Sequence, residues 1–416
     1  MSELTTLSNG LRVYADPMPG LRSSTIGVWF HAGAIDETKS QHGIAHLLEH
    51  MAFKGTTTRS ARAIAEEIEN VGGYLNASTG YSRTGYYARI LEGDEEKALE
   101  ILADILTNPT FDAAELAKER EVVVQEIGEA ADIPDDVAME KLQRVSFGEH
   151  ALGRPILGAI ESVRRHDRAS LGDFMSEHYA PQDTVIAASG AIAGDHILKL
   201  AEKYFSGRPK FDRAARTDKP IYIGGSDHDA RASEQTHVAL AFPGVSVRDE
   251  DYFATRIFVE ALGGGMSSRI FQSVREERGL AYSVYAFTDA YEDVGAIGAY
   301  VGTDEGNAIE AASLIRDEIK AMADAPTEKE IERARTMLRS TLLMGLENPA
   351  TRAETAVGQL FAHGRLINPV ETVERLEAVG LEAVKRVAAR ALSDTASVVA
   401  VGPVNFSKLH DVCKAS

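Results

Sequence analysis

The sequence predicts an α+β protein built from two similar halves. Three observations carry that prediction. At 416 residues the chain is too long for one ordinary domain and suits two of about 200 residues each. Short stretches with strand patterning alternate along it with stretches of helical spacing. The order of those stretches in the first half then returns in the second.

Taken in order, Leu11–Tyr14 and Ser24–Phe30 alternate or run apolar as strands do, and residues 42–53 and 59–71 carry helical spacing. Leu75–Ser78 and Thr84–Ile90 read as strands, Glu95–Leu106 as a helix. A further helix opens at Asp112, where Asp112-Ala113-Ala114-Glu115 has the spacing of a capping box. Residues 170–178 (helix), 183–190 (strand) and 194–204 (helix) close a first domain, residues 1–206. Residues 207–220, polar, basic and without periodicity, read as a linker. The second domain, 221–416, replays the order. Thr236–Phe242 is strand-like and Tyr252–Leu262 helical; Arg269–Arg278 is helical, and Ala281–Thr288 and Ala296–Val301 are strand-like. Residues 304–310 echo residues 94–100. Each echo leads through a proline, Pro109 or Pro326, to a capped helix, the second cap being Thr327-Glu328-Lys329-Glu330.

A net charge of −19 argues against nucleic acid and anionic membrane surfaces as partners, since both favour basic proteins. The one cysteine, Cys413, excludes an internal disulfide. The first ten residues have neither the pattern of a signal peptide nor that of an Arg-rich transit peptide, and no apolar run reaches the length of a membrane span. The expected location is the cytoplasm.

The chemistry is concentrated in Gly43-Ile44-Ala45-His46-Leu47-Leu48-Glu49-His50-Met51, an H-x-x-E-H set in an apolar helical pattern. Residues four apart share a helix face, so His46 and His50 can hold one ion between them. Glu49 lies near the same face, where it can act as base toward water at the ion: the zincin arrangement in reversed order. Catalytic zinc takes three protein ligands. Glu126 is the best candidate for the third, and Glu119, two turns earlier on the same helix, for an acceptor that orients a ligand histidine. Taken alone, two glutamates on one helix face are also what simple solvation produces.

The run from His46 to Thr56 resembles the zinc motif of the insulinase/pitrilysin peptidase family. It is most similar to bacterial homologues of the mitochondrial processing peptidase β subunit. Glu126 and Glu119 match that family's third ligand and supporting acid, and Leu7–Leu11 and Gly72–Ala77 match as well. The resemblance implies one Zn2+ per chain and zinc-dependent hydrolysis of peptides or unfolded segments, with Glu49 as base. It implies two homologous domains, each an antiparallel sheet with helices packed on one side, one chain forming half of a clamshell around a chamber. The segment Asn76-Ala77 corresponds to the strand to which substrate adds. Arg275 and Tyr282, seven apart, are similar to the pair that binds substrate backbone and supports the oxyanion, a role that suits a guanidinium and a phenol. Asp136 and Glu140, one turn apart on an expected helix, correspond to acids that receive a basic substrate side chain. The short glycine-rich loop Ala261–Met266 departs from the long loop of non-catalytic partner subunits, which implies a catalytic subunit. The implied assembly is a homodimer, or a heterodimer with a related subunit. The rival reading is a non-catalytic structural or peptide-binding subunit that keeps the fold.

Overall fold

The computed structural model describes residues 2–211, 213, 216, 218–393 and 396–414. Asp212, Ala214, Ala215 and Thr217, within the expected linker, lie outside the described residues. The chain forms two compact units, one of Met1–Gly128, Pro155–Thr217 and Met344–Leu366, the other of Glu129–Arg154, Asp218–Leu343 and Ile367–Ser416.

The first unit is organised on a six-stranded sheet of β1 (Glu3–Thr6), β2 (Arg12–Pro17), β3 (Ser23–Phe30), β4 (Tyr74–Thr79), β5 (Thr84–Leu91) and β6 (Thr184–Gly190), in the order β1-β2-β6-β3-β5-β4. The second has β7 (Gly225–Asp229), β8 (Thr236–Pro243), β9 (Ala281–Ala290), β10 (Gly295–Thr303) and β11 (Ser397–Val401), ordered β7-β11-β8-β10-β9. With β1 set aside, the two orders are the same. The strand directions also agree: β2–β6 and β7–β11 are parallel, and every other neighbouring pair is antiparallel. Two sheets with one topology are what duplication of a single unit leaves behind.

In each unit the helices from its own half of the sequence cover one face. On the first sheet, alternate residues Ile26, Val28 and Phe30 of β3 face α1 (Ile44–Ala52), α2 (Ala61–Glu69), α3 (Glu95–Thr107) and the first turns of α4 (Ala113–Asp132) in one apolar core. The opposite face, with Tyr14, Trp29, Val185 and Ala187, is covered by Ala353, Ala356, Val357 and Leu360 of the helix Pro349–His363. The second unit makes the reciprocal arrangement. Ala138 and Leu142 of α5 (Pro134–Phe147) pack on Ala239, Ala241 and Val399 of its sheet. Each half thus lends one helix to the other's sheet, so the units depart from a division at residues 206 and 221. Ion pairs hold the lent helices: Arg352 to Asp16 at 2.7 Å in the first unit, Lys141 to Asp227 at 3.0 Å in the second. With both faces covered, central strands read as unbroken apolar runs.

Among the described residues, no helix is long and apolar enough to cross a membrane.

Candidate metal centre

Helix α1 buries Ile44, Ala45, Leu47, Leu48, Met51 and Ala52, and that packing fixes the rotation of the helix. His46, Glu49 and His50 are left on the less buried face. Its start is held unusually. The residue at the cap, Gly43, has φ of 84° and lies so close to Gly158 that a Cβ would come within 2.7 Å of that residue's Cα, which excludes any side-chain cap there. The cap is supplied from outside: the buried Glu37 carboxylate accepts from the main-chain N–H groups of Gly43 and Ala45, both at 2.9 Å. The His42 carbonyl in turn accepts from Ser162 Oγ at 2.8 Å and lies 2.9 Å from His166 Nε2.

Helix α4 buries Leu116, Glu119 and Val123 and carries Glu126 one turn further on. The two helices bring together what the sequence spacing suggested. Glu126 Oε2 lies 3.8 Å from His46 Nε2 and 3.5 Å from His50 Nε2. One donor atom from each of these three side chains falls within 4.8 Å of the others. Glu119, 8% exposed, pairs through Oε2 with His50 Nδ1 at 3.1 Å and through Oε1 with Lys54 Nζ at 2.7 Å.

These donors fit a zinc ion. Burial, reinforced by the charge of His50, pulls His46 down to about 4, so its ring is neutral at neutral pH. Glu119 Oε2 lies 3.1 Å from His50 Nδ1, which orients the ring with Nε2 turned toward Glu126. Nε2 of both histidines and the Glu126 carboxylate converge where one cation could join them. Two nitrogens and one oxygen are a donor set that zinc accepts, with a coordination position left open.

Glu49 is a different kind of group. Desolvation raises its carboxyl above the ordinary glutamate range, and donation from Thr79 opposes that rise. Thr79 Oγ1 donates to Glu49 Oε2 at 2.5 Å, and the Thr79 main-chain amide donates to the same carboxylate. A carboxylate with a raised pKa, beside a metal site, suits a general base.

Thr79 ends β4, the edge strand of its sheet. Gly80 and Arg83, which close the β4–β5 hairpin, are hydrogen-bonded, so by alternation the main-chain groups of Ser78, Asn76 and Tyr74 face β5. Those of Ala77 and Leu75 face outward. Of the two residues expected on the substrate strand, Ala77 therefore presents its amide and carbonyl at the open edge. Asn76 gives its main chain to β5 and places its exposed side chain 3.4 Å from the Tyr87 hydroxyl.

The remaining candidates belong to the second unit. Arg275 sits in a π-helical turn, Phe271–Glu276, where a plain helix was expected. Its guanidinium lies 4.2 Å from the centre of the Tyr282 ring and donates to the Tyr282 carbonyl at 2.9 Å. Tyr282 itself, on edge strand β9, is 80% exposed. Asp136 and Glu140 stand one turn apart on α5, both exposed. Sequence reasoning missed Glu37, Thr79 and the role of Lys54. Only Lys54 carried a signal, its place four residues after His50.

Residues 12–160 match the family described as insulinase (peptidase family M16), and residues 166–338 match the peptidase M16 inactive domain. The chain is 37% identical over 405 residues to an uncharacterized zinc protease of Rickettsia bellii, covering 97% of this chain and 98% of that one. It is 36% identical over 399 residues to an uncharacterized zinc protease of Bacillus subtilis, covering 96% and 97%. A protease from Helicobacter pylori has a similar fold, with a TM-score of 0.89 at 20% identity over 97% of this chain and 99% of that one. A peptidase M16 inactive domain from Pseudomonas fluorescens gives 0.88 at 23% identity, over 97% and 98%.

Proposed function

The chain belongs to the insulinase family of peptidases, family M16, and we propose that it is a zinc-dependent endopeptidase acting on extended peptide segments. The observation that supports this best is the convergence of His46, His50 and Glu126 beside a base, Glu49, anchored to an open sheet edge. Zinc bound by the three ligands would supply Lewis acidity, polarising a carbonyl and making water nucleophilic near neutral pH.

The other steps fall to the chain's own residues. Ala77 and Leu75 offer outward amides and carbonyls to a substrate that adds as a strand, so affinity comes from main-chain bonds and asks little of the substrate's sequence. Glu49 accepts a proton from the attacking water and passes it to the leaving amine. Glu119, itself paired with Lys54, holds the His50 ring in the orientation that would present Nε2 to a bound zinc ion. Arg275 and Tyr282 are the donors we assign to the oxyanion, and Asp136 and Glu140 the acids we assign to a basic substrate side chain.

Glu49→Gln is the decisive test, because the amide cannot accept the proton and Glu49 is not a ligand. The variant is expected to retain zinc by metal analysis and to lose hydrolysis of a quenched fluorescent peptide. Loss of stoichiometric zinc, or turnover at the unmutated rate, contradicts the assignment. An unmutated chain that binds zinc and cleaves nothing is the non-catalytic subunit instead.

A further inference from the structure

The catalytic carboxylate is held by the same strand that offers its edge to the substrate. Glu49 reaches out from α1, but its Oε2 ends on Thr79, the last residue of β4. The hydroxyl contact is 2.5 Å, at the short end for an O–H donor to a carboxylate, and the Thr79 amide adds a second bond. By the alternation of the β4–β5 ladder, the Thr79 amide faces outward, in line with those of Ala77 and Leu75. It is therefore already committed to Glu49 and is not offered to a peptide.

A free glutamate side chain has three rotatable bonds and considerable rotamer freedom. Beside a metal site it has a competing place to go, onto the ion itself, where it would occupy the position that water needs. We propose that Thr79 is the positioning residue of the active site: its hydroxyl and amide clamp Glu49 in register with a peptide bound at Ala77, so that base and scissile bond share one strand as their frame. This rests on the peptidase reading above. Thr79 touches neither substrate nor ion in this arrangement; it acts through Glu49.

Thr79→Val keeps the branched shape, the strand preference and the main-chain amide while removing the hydroxyl donor. Thr79→Ser keeps the hydroxyl. Thr79→Ala removes the hydroxyl by a second route and guards against a packing effect of the valine. With the zinc-loaded enzyme, Thr79→Val and Thr79→Ala are expected to lower kcat by about ten- to a hundredfold, the weight of one charge-assisted hydrogen bond, at unchanged KM. Zinc affinity, read by competition with a chromogenic chelator, stays as in the unmutated chain. Thr79→Ser regains most of kcat. Unmutated kcat in Thr79→Val overturns the proposal, as does a Thr79→Ser enzyme no better than Thr79→Val, or a loss seen in KM alone. A crystal structure of zinc-loaded Thr79→Val separates this idea from the peptidase reading. If the unmutated chain cleaves no peptide, the proposed activity falls, and the Glu49 carboxylate decides for Thr79. Swung away in Thr79→Val, it supports the clamp; unmoved, it refutes it.

Discussion

The imported cap on α1 makes a quantitative prediction. Glu37 is 4% exposed and gives both carboxylate oxygens to main-chain N–H groups in the first turn, Oε2 to Gly43 and Oε1 to Ala45. Glu37→Gln keeps one acceptor and turns an NH2 group toward the other N–H. One charge-assisted bond is lost, a buried donor is left facing a donor, and the negative charge that complements the helix N-terminus disappears. Together these cost about 3 kcal/mol. In a unit of about 200 residues that corresponds to a fall in Tm of roughly 6–12 °C. His46 occupies the turn being loosened, so zinc affinity should fall by about tenfold as well. Differential scanning fluorimetry of the metal-free protein and chelator competition measure the two effects separately. Glu37→Asp, one methylene short, should lie between. If Glu37→Gln melts with the unmutated protein and competes for zinc as well, the cap is not what holds the helix. A lowered Tm with unchanged zinc affinity would mean that the cap serves the fold and not the site.

Two further predictions rest on other contacts. Glu330 is drawn down to about 2: its burial would raise it, but hydrogen bonds from Arg269 and Thr327 outweigh that effect. Its stabilisation is therefore complete above the unfolded glutamate value of about 4.5 and lost as pH falls toward about 2. Glu330→Gln should thus cost about 1–3 kcal/mol at pH 7, by urea denaturation, and the deficit should shrink below pH 4.5; a deficit that stays constant with pH rules this out. The second concerns assembly. We propose a homodimer in which Arg275 and Tyr282 serve the partner's zinc, so inactive His50→Ala and Arg275→Ala chains should regain up to about half the activity per mixed dimer when their subunits exchange. Demonstrated exchange without recovery refutes the shared site.

The two within-helix pairs of site candidates were legible because helical periodicity is strict. Residues four apart must share a face, so His46 and His50 could be paired from spacing alone, and Glu119 and Glu126, seven apart, fell on one side of α4 for the same reason. Contacts that depend on tertiary approach left no such trace. Thr79 reads as an ordinary strand threonine, and its value lies in where α1 crosses the end of β4. Glu37 precedes its cap partners by six and eight residues, outside any capping-box spacing. The lent helices were illegible for a related reason: the pattern Ala353, Ala356, Val357, Leu360 declares an apolar face but cannot say which sheet it covers. β7, with the sequence Gly-Ser-Asp-His-Asp, is an edge strand without an apolar alternation to find.

The duplication supplies an internal control on which residues serve the fold and which serve the chemistry. Counting from their N-terminal caps, Asp112 and Thr327, helix α4 and the helix Glu328–Gly345 align without a gap. Leu116 matches Ile331 and Val123 matches Leu338, all four buried, so the packing positions are kept. At the position of Glu119 the second copy has Ala334, 3% exposed, and at that of Glu126 it has Thr341. The helix Tyr252–Gly263, which occupies the place of α1 between equivalent strands, contains no histidine. A small apolar residue therefore satisfies the fold where the first copy buries a carboxylate. Burying Glu119 instead costs desolvation that its partners, Lys54 and His50, offset. The fold does not ask for that carboxylate, and in the first copy it lies 3.1 Å from the Nδ1 of His50. Among the described residues, the cluster that could hold a metal ion, His46, His50 and Glu126, lies in the first copy alone.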